Sequence, residues 1–124
     1  MPIPDYDSFV QFVGQQAGDK LRLVVFATPN DYHTAYVRDD VQDAYSNPQV
    51  DGLVTYMREL TDPALPTSIR ETTGDLESIV LTYDDAVGIV LPVPDGNVLV
   101  SLEPSAASQL HEFTTSCQEF LEQM

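Results

Sequence analysis

Three stretches of the chain place apolar residues at the three- and four-residue spacing that is typical of an amphipathic helix. The first begins near Asp5 and ends before Gly18, a residue type that tolerates the positive φ of a helix end. Pro48 separates a short turn from the second helix, and Ser105 is placed to cap the third. The apolar stripes are Tyr6, Phe9, Val10, Val13 and Ala17; Val50, Leu53, Val54, Met57 and Leu60; and Ala106, Leu110, Phe113, Cys117, Phe120, Leu121 and Met124. The chain is therefore predicted to contain three helices.

Five further stretches are rich in β-branched and aromatic residues and are separated by turn residues, so they are predicted to be strands. They cover residues 20–28, 32–38, 74–83, 86–92 and 98–102. A period of two residues also predicts which side chains of the second strand share a face. These are Tyr32, Thr34 and Tyr36 on one side, and His33, Ala35 and Val37 on the other.

The predicted order of elements is helix, two strands, helix, three strands, helix. Because residues 21–27 and 87–91 are apolar on both faces, the layer they form must be covered twice. We therefore predict an α+β fold in which a five-stranded antiparallel sheet has helices on both faces, as a single domain over residues 1–124. Residues 61–73, which include Pro63 and Pro66, are predicted to form an irregular connection.

The charge of the chain restricts its partners. Twenty acidic residues stand against five basic ones, and the formal net charge is -15. Nucleic acids and anionic membranes bind clustered Lys and Arg, so neither is a predicted partner. Self-repulsion of this size is screened in concentrated salt, which favours the cytoplasm of a salt-accumulating halophile. An acidic mimic of DNA is the alternative, but a mimic concentrates its charge, whereas these carboxylates are spread from Asp5 to Glu122.

Cys117 is the only cysteine, so no intrachain disulfide is expected. The first residues lack the basic and apolar regions of a secretory signal, and no apolar run is long enough to span a bilayer. A cytoplasmic protein without a membrane segment is the expectation.

Residue types that carry chemistry are present but scattered. Carboxylate pairs occur at Asp5 and Asp7, at Asp39 and Asp40, and at Asp84 and Asp85. In a chain this acidic they are predicted to be caps, turns and solvated surface rather than metal or acid–base sites. His33 and His111 have no second ligand at metal-binding spacing, and Cys117 is predicted to pack in the core as a small apolar residue.

The remaining candidates give no site either. Ser101, Ser105 and Ser108 lack the context of a hydrolase nucleophile, and no glycine-rich loop precedes a helix. Arg38 is predicted to form a local ion pair at a helix cap with Asp39 and Asp40, so that its loss leaves folding in high salt intact. The tyrosines Tyr32, Tyr36, Tyr45 and Tyr56 suit a partner surface, although bridging core and solvent singly is the simpler explanation. No catalytic, cofactor-binding or metal-binding residue is predicted.

The order of elements over the whole chain resembles the roadblock/longin group of small, profilin-like domains. That resemblance implies a sheet ordered 2-1-5-4-3, with helices one and three on one face and helix two on the other. In addition, residues 36–41, 74–76, 84–87 and 100–104 are similar to segments of a family of small acidic haloarchaeal proteins with no assigned function.

The roadblock/longin resemblance implies a homodimer joined through the edge strand, residues 76–83, and helix two, residues 50–60. Proteins of that group often scaffold or regulate small GTPases and have no catalytic residues. The interface residues predicted on this basis are Val50, Leu53, Val54, Met57, Leu76, Ser78, Val80 and Thr82. A non-catalytic homodimeric interaction or regulatory module, with a small GTPase as a protein partner, is the resulting hypothesis.

A second hypothesis of a different class is a small-molecule sensor or enzyme. Its pocket would lie between the sheet and residues 61–73, with Arg70 and Tyr83 near the ligand. The length of that connection is its motivation, because long loops are often functional.

Overall fold

A computed structural model of the chain describes residues 6–61 and 67–123. Its strands are β1 (Leu21–Ala27), β2 (Tyr32–Val37), β3 (Ile79–Thr82), β4 (Val87–Val93) and β5 (Gly96–Leu102). They form one sheet in the order β2-β1-β5-β4-β3, and every neighbouring pair is antiparallel. The predicted α+β class and the sheet order 2-1-5-4-3 are confirmed.

The helices are α1 (Tyr6–Ala17), α2 (Asn47–Leu60), α3 (Thr67–Thr73) and α4 (Leu110–Glu122). The predicted end of α1 is confirmed, since Gly18 follows it with a φ of 62°. As predicted, a short turn of 3-10 helix, Asp39–Tyr45, precedes α2, and Pro48 lies in the first turn of α2, where its missing N–H costs nothing. The predicted cap Asp5 and the last apolar residue Met124 lie outside the described residues.

The core has two halves, one on each face of the sheet. Helices α1 and α4 bury Phe9, Val13 and Cys117 against one face, where Val24 and Val100 are fully buried. On the other face α2 buries an apolar row against β1, β4 and β5; this row consists of Val50, Val54 and Met57. Helices on both faces are therefore confirmed.

Bulges change the alternation of side chains along β1 and β2. Leu21 pairs with Leu102 and Leu23 with Ser101, so Arg22 is an extra residue and the two leucines point to opposite faces.

A second bulge corrects the predicted faces of β2. Val24 pairs with Tyr36 and Val25 with Thr34, which leaves Ala35 as the extra residue. Tyr32 therefore packs on the α2 side and Tyr36 on the α1 side, although a strict period of two placed them together.

Three predicted boundaries also differ from the structure. Residues 67–73 of the predicted irregular connection form α3, which ends at Gly74 with a φ of 83°. Strand β3 is only Ile79–Thr82, shorter than the predicted 74–83. The segment Pro104–Gln109 is 3-10 helix, so α4 begins at Leu110 and not after a cap at Ser105.

Candidate functional site

Strand β3 forms one edge of the sheet and is hydrogen-bonded to β4 alone. Residues 78–83 carry no charged side chain and no proline, the two devices that commonly blunt an exposed edge. The acidic residues Glu77, Asp84 and Asp85 lie just outside this run. We call residues 78–83 the open edge.

The hairpin between β3 and β4 determines which backbone groups of the open edge are free. The N–H of Tyr83 donates to the carbonyl of Ala86 at 2.8 Å, which makes these two a hydrogen-bonded pair. Hydrogen-bonded pairs alternate along an antiparallel ladder, so Leu81 with Gly88 is the next one. The N–H and C=O groups of Val80 and Thr82 consequently point away from β4, towards the outside of the sheet.

On the α4 side, the open edge borders a shallow pocket of about 360 Å³. It is lined by Ser78, Val80, Leu110, His111 and Thr114. Thr114 is only 7% exposed, yet its Oγ1 has no hydrogen-bond partner among the described residues. One turn further along α4, the Nε2 of Gln118 donates to the carbonyl of Glu77 at 2.7 Å and holds the helix beside the strand.

On the α2 side, the open edge borders an apolar cleft of about 90 Å³, whose walls include Leu81, Tyr83, Leu53 and Tyr45. Tyr56 of α2 reaches the same end of β3. The pKa of Tyr83 is raised, first by loss of solvent around the phenol and then by a hydrogen bond with Tyr56. Through this hydrogen bond, the exposed surface of α2 contacts the end of β3.

The most exposed large apolar side chains of the described residues are Tyr56 at 44%, Ile69 at 45%, Leu76 at 42%, Val80 at 41% and Tyr83 at 53%. None of them lies on β2, and three lie in or next to the open edge. An exposed apolar group next to unpaired strand edges is what a protein–protein contact by strand addition needs.

The structure places the predicted interface residues in two environments. Leu76 and Val80 are exposed, Thr82 is exposed, and Ser78 and Leu53 are half-buried. Val50, Val54 and Met57 are 1–2% exposed and pack under the sheet. The helix residues that reach the surface beside β3 are Leu53 and Tyr56, and the contact with a second copy stays a prediction.

The described part of residues 61–73, the stretch that motivated the ligand hypothesis, borders a third cavity. A groove of about 780 Å³ lies between the end of α2, α3 and the β4–β5 turn, and Arg70 lines it. Tyr83, predicted to lie near the same ligand, lines the cleft beside α2 instead. Among the described residues, the Arg70 guanidinium has no hydrogen bond and no ion pair.

Arg38, Asp84 and Asp85 fall outside these three cavities. The predicted ion pair of Arg38 is confirmed with Asp40, whereas Asp39 accepts a hydrogen bond from Gln42 instead. Arg38 also pairs with Glu103 at 2.9 Å, and no side chain caps the following turn. The bonds from Arg38 hold the pKa of the Asp40 carboxyl below its usual range. Asp84 and Asp85 form the predicted turn between β3 and β4.

His33 and Cys117 both pack against other side chains of the domain. His33 stacks on Tyr6 with ring centres 4.6 Å apart. Cys117 is fully buried, and burial raises the pKa of its thiol to about 12, so it is protonated and unreactive at neutral pH. Within residues 6–61 and 67–123, no three His, Cys, Asp or Glu side chains are placed to hold a metal ion.

Sequence reasoning missed two contributors to the open edge. In the sequence Tyr56 is one tyrosine among several, and Thr114 gives no signal, because a single threonine on a helix forms no pattern. The uncharged run at residues 78–83 was the signal available in the sequence.

The fold and this edge define a small α+β domain with one antiparallel sheet covered on both faces, in which the edge strand β3 is paired on one side only. Residues 7–122 match the family described as a domain of unknown function, DUF7522, and the chain belongs to that family. No curated protein matches the chain. In the described part of the chain, every helix is too short or too polar to cross a membrane.

Proposed function

We propose that the chain is a non-catalytic, homodimeric interaction module whose two copies meet through the open edge and the adjacent surface of α2. The observation that carries this proposal is the uncharged, proline-free edge strand that has exposed Val80 and Tyr83 on it and Tyr56 beside it. Antiparallel strand addition about a two-fold axis extends the sheet and satisfies the free backbone groups.

The distribution of charge supports a second copy as the occupant of the open edge. Each copy carries a net charge of -15, so two copies repel at almost any orientation in dilute salt. Within residues 78–83 no carboxylate of one copy meets a carboxylate of the other, and the nearest acidic residues, Glu77, Asp84 and Asp85, lie at the two ends of this run. A cationic partner gains no ion pair within residues 78–83 themselves.

The same charge supports a salt-rich cytoplasm as the setting. At molar salt the Debye length falls to about 3 Å, so the repulsion between copies is largely screened. We propose that the protein works in a halophile and that dimerisation depends on that screening.

The sheet order and the placement of helices on its two faces are the features on which the roadblock/longin likeness rests. They support a dimer through the β3 edge and α2, as in that group. A small GTPase is the partner class that we propose for the dimer, because roadblock/longin proteins often scaffold or regulate such enzymes.

Sedimentation equilibrium in about 3 M KCl, where charge is screened, tests the dimer. We expect twice the 13.7 kDa chain mass for the wild type. Val80→Lys should sediment at the single-chain mass, because lysine on an edge strand opposes pairing. Thr34→Lys, the matched substitution on β2 at the other edge, should sediment like the wild type. A monomeric wild type, or a dimer that Val80→Lys leaves intact, contradicts the proposal.

A second candidate function is binding of a small anionic ligand, and the groove beside Arg70 favours it. The Arg70 guanidinium, which has no partner among the described residues, suits a carboxylate or phosphate group, and Ile69, Leu76 and Val93 offer apolar contact to the rest of such a ligand. Asp75 and Asp95 also line the groove, which disfavours a molecule with several negative charges.

Titration with acetate and, separately, with inorganic phosphate tests this second function by NMR. Binding should shift the backbone amides of Thr73 and Asn97 in the wild type and leave them unmoved in Arg70→Gln. Equal shifts in both proteins, or none in the wild type, contradict an anion site in the groove.

A further inference from the structure

We propose that the two copies pair their open edges in one register, with Leu81 opposite Leu81 of the partner subunit, and that this register fills the pocket beside α4. The inference rests on the proposed dimer and specifies which residues meet. Three independent features of the structure favour this register over its neighbours.

The first feature is the direction of the backbone groups. Within β3, Val80 and Thr82 are the residues whose N–H and C=O groups point outward. With Leu81 on the two-fold axis, Val80 lies opposite the partner's Thr82, and Thr82 lies opposite the partner's Val80. Each outward group of the strand then meets an outward group of its copy, and each such pair exchanges two hydrogen bonds.

The second feature is the apolar match on the α2 side. In this register Leu81 contacts its own copy, and Ile79 lies opposite the partner's Tyr83. The cleft lined by Leu81, Tyr83 and Leu53 is thereby covered by apolar and aromatic side chains. If one strand slides by two residues along its copy, Val80 instead of Leu81 lies on the two-fold axis. Tyr83 then lies opposite the charged Glu77 of the partner subunit.

The third feature is the unsatisfied hydroxyl on the α4 side. The partner's Thr82 lies beside Val80 on the face that looks onto the pocket of Ser78, His111 and Thr114. Its hydroxyl both donates and accepts, so it supplies a partner for the buried Oγ1 of Thr114. The pocket and the orphaned hydroxyl are accounted for together, without a ligand of another kind.

The register also makes the dimer depend on salt. Beyond the paired residues, Glu77 approaches the partner's Asp85, and the hairpin of each copy carries Asp84 as well. These carboxylates repel in dilute solution and are screened in concentrated KCl. The dimer is therefore expected to weaken as the salt concentration falls.

Disulfide trapping in a Cys117→Ala background tests the register. Leu81→Cys should cross-link to its copy under mild oxidation, because directly opposite residues in a non-hydrogen-bonded pair have Cα atoms about 4.5 Å apart. Val80→Cys is the control, since in this register its copy is a diagonal neighbour at roughly 7 to 8 Å.

The outcomes separate the register from the dimer itself. Cross-linking of Leu81→Cys without Val80→Cys supports the register. The reverse pattern overturns the register and leaves the dimer standing. No cross-link in either variant overturns the register if the wild type is dimeric, and overturns both proposals if the wild type is monomeric.

Thr114→Val tests the contact on the α4 side. Removing the hydroxyl should raise the dissociation constant of the dimer about threefold to tenfold, the effect of one hydrogen bond. Thr115→Val, the same change at the neighbouring residue of α4 that does not line the pocket, should leave the dissociation constant unchanged. Equal dissociation constants for Thr114→Val and the wild type overturn the contact.

Discussion

The two edges of the sheet are held in very different ways. At the β2 edge, Arg38 bonds to Asp40, Glu103 and the carbonyl of Asp19. Arg58 of α2 donates to the carbonyls of Thr28 and Asp31, which connect β1 to β2. At the β3 edge no arginine or lysine takes part among the described contacts. There, Gln118 of α4 donates a hydrogen bond to the carbonyl of Glu77, two residues before β3.

The chain has few basic residues, and those that form these contacts lie near β2 and not near β3. Two of its five basic residues form contacts around β2, whereas three of the five most exposed large apolar side chains lie in or next to the open edge. Natural proteins usually protect an exposed edge with charge, proline or a cover. An edge left without any of these is an edge available for pairing.

The largest effect is expected where the α2 side of the core supports both edges. Met57 is 2% exposed under the sheet, so Met57→Ala should lower the free energy of unfolding by about 2–5 kcal/mol. Leu76→Ala, at an exposed residue from the same predicted interface, should change stability far less. Chemical denaturation in concentrated KCl measures both, and equal losses would show that Met57 is not a core residue.

A pH-dependent effect is expected on the α4 side. Burial raises the pKa of Cys117 from its ordinary value of 9.0 to about 12. As the pH rises, the thiol therefore loses its proton in the unfolded chain before it does so in the folded chain. Its contribution to the free energy of unfolding is fully present below pH 9 and is lost as the pH rises towards 12. Over that range this group lowers the free energy of unfolding by up to about 1.4 kcal/mol per pH unit.

The measurement is the free energy of unfolding of the wild type and of Cys117→Ala across that range of pH. Tyrosines also titrate there, so the difference between the two proteins isolates the thiol. Parallel curves for the two proteins would contradict a buried, protonated Cys117.

A smaller effect is expected from loosening the β2 edge. Arg38→Ala removes the contacts to Asp40, Glu103 and the carbonyl of Asp19, and ion pairs whose carboxylates are exposed contribute little in screened solution. The melting temperature should fall slightly in concentrated KCl, and the oligomeric state should not change. A large fall would show that the β2 edge carries much of the stability of the sheet.

The smallest effect is expected at the tyrosine pair beside β3. Tyr56→Phe removes a hydrogen bond that raises the pKa of Tyr83, so that pKa should move down towards its ordinary value. Phenolate absorbance measured against pH reports the shift, with Tyr45→Phe as the control. An unchanged pKa of Tyr83 in Tyr56→Phe would show that Tyr56 of α2 forms no hydrogen bond with the open edge.

Much of the fold was predictable because each apolar stripe and each turn is encoded within about fifteen residues. The face of each residue in β2 was not, since the bulge at Ala35 depends on pairing with β1. The short helix α3 was missed because Thr67–Thr73 contains several threonines and one large apolar residue, Ile69, and gives no helical stripe.

The difference between the two edges could be predicted only in part from the sequence. Residues 78–83 are visibly uncharged, but residues 32–37 also contain no acidic or basic residue except His33. What distinguishes the two strands is long-range contact, such as that of Arg58 with a turn 27 to 30 residues earlier. Local patterns do not encode such contacts, and the unpartnered hydroxyl of Thr114 is equally invisible in the sequence.

Amide hydrogen exchange at Val80 and Thr82, followed by NMR in concentrated KCl at low and high protein concentration, tests the central claim most directly. Both amides point outward from the sheet, so they should exchange rapidly in dilute protein and become protected as the protein concentration rises. The amides of β2 should exchange at the same rate throughout. Rates at Val80 and Thr82 that do not depend on concentration, or protection that grows at β2 instead, would contradict pairing through the β3 edge.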